Sequence, residues 1–242
     1  MIALTSAELV KLFRRSPVWR LAGVMAVVIT ALALVVSLSA PPASGVRPSA
    51  LELSVPIGLI GCQVLAALVG AALGQEYQWR TLPLWLTRGA LRGPLLVARF
   101  AAALPALVLV ALVPIAVGLA FSLGDLDAAL RASHLTLPTL GLVVLAMAFA
   151  TLPYVALGLT LAVARRTAVA PVGGVLLLAL LVEPILGQIA PRVGAYLPSV
   201  LAANLLSGGG EGRLVAALLI ALYTAVVFAL AVMLFRRQDL TG

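Results

Sequence analysis

Residues 95–121 read LLVARFAAALPALVLVALVPIAVGLAF, and Arg99 carries the only charge in the run. A helix rises about 1.5 Å per residue, so about 20 apolar residues cross a bilayer core of about 30 Å. This run exceeds that length, which leaves it room to tilt or bend. Pro105 and Pro114 lie inside it. Each proline removes a backbone donor and bends a helix.

Working outward, five more runs reach spanning length, at residues 21–39, 53–73, 137–163, 168–186 and 214–235. Pro153 interrupts the run at 137–163. The expected fold is an all-α integral membrane protein with six transmembrane helices in a single domain, residues 1–242. Composition agrees. Hydrophobic residues are 63% and charged residues 10%, against about 25% charged in soluble domains. That balance excludes a soluble enzyme, a disordered tail and a nucleic-acid reader, so no nucleic-acid partner is expected despite a net charge of +8. Cys62 is the only cysteine and His134 the only histidine, so an intrachain disulfide, a cysteine metal cluster and a multi-histidine metal site are all excluded. The run at 21–39 is longer than the 7–15 residues of a typical signal core and lacks a good cleavage site, so it reads as a span.

Basic residues set the orientation. Lys11, Arg14, Arg15, Arg20, Arg80, Arg88, Arg92, Arg99, Arg165, Arg166, Arg236 and Arg237 fall on one side. Only Arg47, Arg131, Arg192 and Arg213 fall on the other. Cytoplasmic loops are enriched in Lys and Arg. Both termini are therefore expected in the cytoplasm, and the chain in the inner (cytoplasmic) membrane of the cell as a multi-pass protein. The loop at 187–212 is semi-apolar, and a further crossing there would break the parity. A re-entrant or interfacial hairpin on the extracytoplasmic side fits it.

Two amphipathic segments lie on the basic side. Thr5-Ser6-Ala7-Glu8 has a capping-box pattern. On the helix that follows, within 5–17, Leu9, Val10, Leu12 and Phe13 share one arc, while Lys11, Arg14 and Arg15 share the other. This reads as an interfacial helix bound to the lipid bilayer; a plain basic anchor is the other reading. In the second segment, 76–93, Trp79, Leu82, Trp85 and Leu86 share a face, opposite Arg80, Leu84, Thr87 and Arg88. Two tryptophans suit a membrane–water boundary, so a short helix along the inner surface is expected; a solvated loop is the alternative.

At these residues the chain resembles the permease subunits of ABC-2 type ATP-binding-cassette transporters. Four places carry the resemblance. They are Glu8-Leu9-Val10-Lys11-Leu12, the loop from Glu76-Tyr77 through Thr81-Leu82 and Leu86-Thr87 to Arg99, Tyr196-Leu197-Pro198-Ser199, and Arg236-Arg237-Gln238-Asp239-Leu240. With the six spans, these cover nearly the whole chain. Relatives usually have Gly where Arg80 stands and Pro near Arg88 and Gly89. The resemblance implies an N-terminal elbow helix, a coupling helix in the 76–93 loop and a re-entrant pair before the last span. It further implies a second permease copy, as homodimer or heterodimer, and separate ATPase subunits that carry the ATP and Mg. Arg80, Leu84, Trp85, Thr87 and Arg88 are then the candidate ATPase-coupling residues. An apolar Leu84 among cations asks for a partner to cover it. Export of an amphipathic, lipid-like, peptide or drug cargo is expected.

The chain supplies no phosphate cradle of its own. A P-loop needs a Gly-Lys-Ser or Gly-Lys-Thr ending, and Lys11 is the only lysine. No cofactor is expected in the chain itself, and no enzymatic activity.

Polar residues inside spans are costly and are candidate functional sites by default. Gln63 lies mid-span in the second run, where an interhelical hydrogen bond and a substrate contact both fit. Glu183 lies near the end of the fifth. It either reaches water or forms a gate carboxylate, alone or with Arg192. Arg99 is placed to snorkel. Tyr154, beside Pro153, either packs or hydrogen-bonds at the kink. Ala66, Gly70 and Gly74 recur every fourth residue, a small-residue face for helix packing within or between protomers; Gly173 and Gly174 form a second such place. A rhomboid-like or zinc-dependent membrane hydrolase lacks its motifs here. A scaffold and an ion-coupled secondary transporter remain as other classes.

Overall fold

The computed structural model describes residues 50–82, 92–121, 137–207 and 210–238, with scattered positions between 5 and 31. Those residues are helical, with no strand among them, and five helices are long and apolar enough to cross a membrane. The protein is a multi-pass helical membrane protein. The sixth expected span, at 21–39, lies largely outside the described residues, as do Leu9, Lys11, Phe13, Arg14 and Arg15.

The elements are α1 (Ala50–Gln78), α2 (Arg92–Phe121), α3 (Leu137–Ala150), α4 (Leu152–Arg165) and α5 (Val169–Leu177). A π-helical turn at Leu178–Val182 leads into α6 (Glu183–Ile189). Then follow the short α7 (Pro191–Gly194), α8 (Pro198–Ser207) and α9 (Gly210–Arg237). Helix α1 packs against α2, α4 and α5, while α4 also packs against α9. Helix α1 and the span of α3 and α4 form the centre, with two thirds of their apolar windows buried; α9 is an edge helix with 17% buried.

Small residues set that centre. A Cβ on Gly70 would sit 2.5 Å from the Gly158 carbonyl oxygen and 2.7 Å from Pro171. One on Gly74 would collide with the Thr167 carbonyl. Ala66 is fully buried on the same stripe, and its carbonyl faces Gly158. The stripe therefore brings α1 into backbone contact with α4 and the start of α5, within one chain. Gly174 faces the Leu161 side chain, whereas Gly173 faces open space.

Several expected boundaries shift. Helix α1 runs on to Gln78, so Glu76, Tyr77 and Gln78 extend the second span and do not start the loop. The cause is a tertiary contact: Glu76 pairs with Arg99 of α2 at 2.8 Å. Arg99 is 3% exposed, so it does not snorkel to water. Trp79 and Leu82 do not share a buried face, since Leu82 is buried and Trp79 is 57% exposed. The 137–163 run is two helices. Pro153 has no N–H, and Thr151 closes the gap by donating its hydroxyl to the Ala148 and Met147 carbonyls at 2.8 and 3.2 Å. The 168–186 run extends to Ile189.

At the arginine-rich end of the bundle, one knot joins four helices. Tyr77 donates to Gln238 Oε1 at 3.0 Å, and Gln238 Nε2 donates to the Val163 carbonyl at 2.6 Å. Arg92 donates to the carbonyls of Gln238 at 2.6 Å and Arg236 at 3.1 Å. The guanidinium thus satisfies carbonyls that the end of α9 leaves without intrahelical partners.

Candidate functional site

The bundle core is aliphatic, and one cluster of its buried polar side chains lies toward the end opposite the knot. Glu183 is 1% exposed and Gln63 3%. Tyr154, also buried, shares its hydroxyl proton between the two Glu183 oxygens, at 2.9 and 3.0 Å. The Ser199 backbone N–H donates to Glu183 Oε2 at 2.8 Å. The side chains of Gln63 and Ser199 lie near the Tyr154 hydroxyl. Four separated stretches of the chain converge here: α1, α4, α6 and α8.

Each contributor is set by a local rule. Helix α8 starts at Leu197-Pro198-Ser199. A helix start leaves its first N–H groups without internal partners. Leu197 has no side-chain acceptor and Pro198 has no N–H, so Ser199 is the first donor in need. Glu183 supplies the acceptor from another helix, and the positive end of the helix dipole favours a carboxyl there.

The π turn aims Glu183. Pro184 cannot donate to the Leu180 carbonyl, and its ring would crowd it. The chain widens at Leu178–Val182, and the Glu183 N–H reaches back five residues to the Leu178 carbonyl. In a straight α-helix, every fourth residue drifts by about 40° around the axis. The wider turn reduces that drift, so Pro171, Val175, Ala179 and Glu183 are all buried. On the partner helix, Tyr154 stands directly after the Thr151–Pro153 break. Both halves of the contact therefore adjoin a proline-linked irregularity.

Glu183 does not reach water, although the helix ends only two turns later. Nor does it pair with Arg192, which lies on α7 and is exposed. Tyr154 hydrogen-bonds as well as packs. Sequence reasoning singled out Gln63, Glu183 and Tyr154, and quoted Ser199 within a motif, but gave no sign that they meet. The signals were the two prolines, Pro153 and Pro184, each beside a polar residue in an apolar run.

The proposed coupling residues sit apart from this site. Arg80 is exposed at the arginine-rich end, just past the end of α1. Leu84, Trp85, Thr87 and Arg88 lie outside the described residues. Among the described residues, no group of three or more His, Cys, Asp or Glu side chains converges to hold a metal ion. The polar cluster ties α4, α6 and the start of α8 together.

No family model matches the chain, and no curated protein matches it.

Proposed function

We propose that the chain is the membrane-spanning permease subunit of an ABC-2 type transporter. On this reading it forms the translocation pathway, works with a second permease copy and takes its energy from separate ATPase subunits. It would export an amphipathic or lipid-like cargo from the cytoplasm, with both termini on the cytoplasmic side. The observation that carries the reading is helix α8. It folds back against α3 and α9 directly before the last spanning helix, at the Tyr196–Ser199 motif. A short helix pinned at a buried carboxyl beside broken spanning helices suits a pathway that opens and closes. The aliphatic interior suits apolar cargo.

The test is partnership. Purified alone, the chain should show no ATP hydrolysis, and a co-expressed ATPase should copurify. Leu84→Asp should lower the ATPase recovered per permease while the permease stays folded. Burying one Leu is worth roughly 1.5–3 kcal/mol, whereas a rim ion pair gives at most about 1 kcal/mol. Leu84→Asp should therefore cost more binding than Arg80→Gln. Hydrolysis by the chain on its own would overturn the reading.

A second reading, an ion-coupled secondary transporter, draws on the burial of Glu183. Intramembrane carboxyl groups mark ion and proton pathways. Transport in vesicles driven by an ion gradient without ATP would favour it.

A further inference from the structure

Helix α8 is lightly held. Of its residues, Leu201 and Ala202 are buried, against Ala150, Ala216 and Ile220. Ala203 and Asn204 are exposed. Two polar pins fix the start of the helix: Tyr223 donates to the Tyr196 carbonyl at 3.1 Å, and Glu183 accepts from Ser199; near its end Arg213 donates to the Leu206 carbonyl at 3.4 Å. The first pin comes from a continuous helix. The second comes from the residue that directly follows a π turn.

We propose that the π turn and Glu183 together form a latch on α8. While the turn is present, Glu183 points inward and holds both Tyr154 and the start of α8. A π turn carries one residue more than the α turn it replaces. If the turn relaxes to α geometry, everything beyond it rotates by about one residue, roughly 100°. Glu183 then leaves the interior, Ser199 loses its acceptor, and α8 is free to part from α3 and α9. Pro184 holds the latch closed, since it is the residue that α geometry cannot accommodate without cost.

The latch does not depend on the permease reading. It is measured on the chain alone, in lipid nanodiscs, by hydrogen exchange of the backbone amides. In Pro184→Ala, amides across 198–207 should exchange at least about tenfold faster, as expected when a strong hydrogen bond that holds a segment is lost. In Glu183→Gln the factor should be smaller, because the amide oxygen can still accept from Ser199 while its NH2 meets the Tyr154 hydroxyl. Amides across 95–121 and 152–165 should keep their protection. Pro184→Ala separates a latch from mere support. It retains every polar group of the site and favours the helix locally, so the thermal midpoint should hold or rise while α8 loosens. That variant decides the matter even if Glu183→Gln fails to fold. Unchanged exchange at 198–207 in Pro184→Ala would sink the proposal. So would a uniform loss of protection over all helices in both variants.

Discussion

Arg80 has a backbone φ of 54°, in the left-handed region. It follows the end of α1, where the Thr81 N–H reaches the Glu76 carbonyl at 3.1 Å and the Arg80 N–H the Tyr77 carbonyl at 3.2 Å. This is a Schellman closure, in which glycine is the usual residue. Glycine is also what the resemblance led one to expect there. A side chain costs roughly 1 kcal/mol in this region. Arg80→Gly should stabilise the folded chain by up to that amount, read from thermal unfolding in detergent. Gly70 is the opposite case. Its hydrogen faces a carbonyl of α4 with no room for a methyl, so Gly70→Ala should cost about 1–3 kcal/mol. Gly141, which faces open space, is the control: Gly141→Ala should leave stability within about 1 kcal/mol, in the direction of a gain. The repeat of Ala66, Gly70 and Gly74 was legible because spacing alone reveals it. The left-handed turn was not legible, because an arginine gives no local sign of it.

At the scale of helices, the length and apolar character of each run were readable, and their interruptions only partly so. Pro153 announces a break, but the hydroxyl repair by Thr151 depends on a side-chain rotamer. Thr151→Val should leave two carbonyls short of a donor and destabilise the protein by about 1–2 kcal/mol; a denaturation series in detergent measures it. Thr160 makes a similar back-bond to Ala156 and reaches across to the Val227 carbonyl of α9 at 3.1 Å. Phe100 and Phe228 stack at 4.8 Å between ring centres, joining α2 to the same helix. The extension of α1 past residue 73 was not readable from hydropathy. It rests on the ion pair between Glu76 and Arg99, partners separated by a whole loop. The Glu183 contact was hidden for the same reason: its donors lie on helices brought near only by folding.

At the scale of the molecule, sequence does not say which span is central. In lipid, a helix gains nothing by hiding apolar surface. The most apolar window of the five belongs to α9, and it is the least buried. What marks the centre is small side chains, as on α1. Orientation is a separate question, which the distribution of arginines addresses. Reporter fusions at residue 1, at residue 242 and after Ser207 should place both termini in the cytoplasm and Ser207 outside. An extracytoplasmic C-terminus would contradict the six-span topology.

The Gln238 knot bears on how the protein is made. Gln238 follows the last spanning helix, so a ribosome delivers it after every helix it ties. Until then, Tyr77 and Val163 lack that partner, and Arg92 lacks the carbonyls it holds at the end of α9. Assembly of this end therefore waits for the segment that follows α9, whatever the order in which the spans enter the bilayer. A released chain truncated after residue 234 should keep the described spanning helices yet remain open to protease at its arginine-rich end, whereas the chain that includes Gln238 should be closed there.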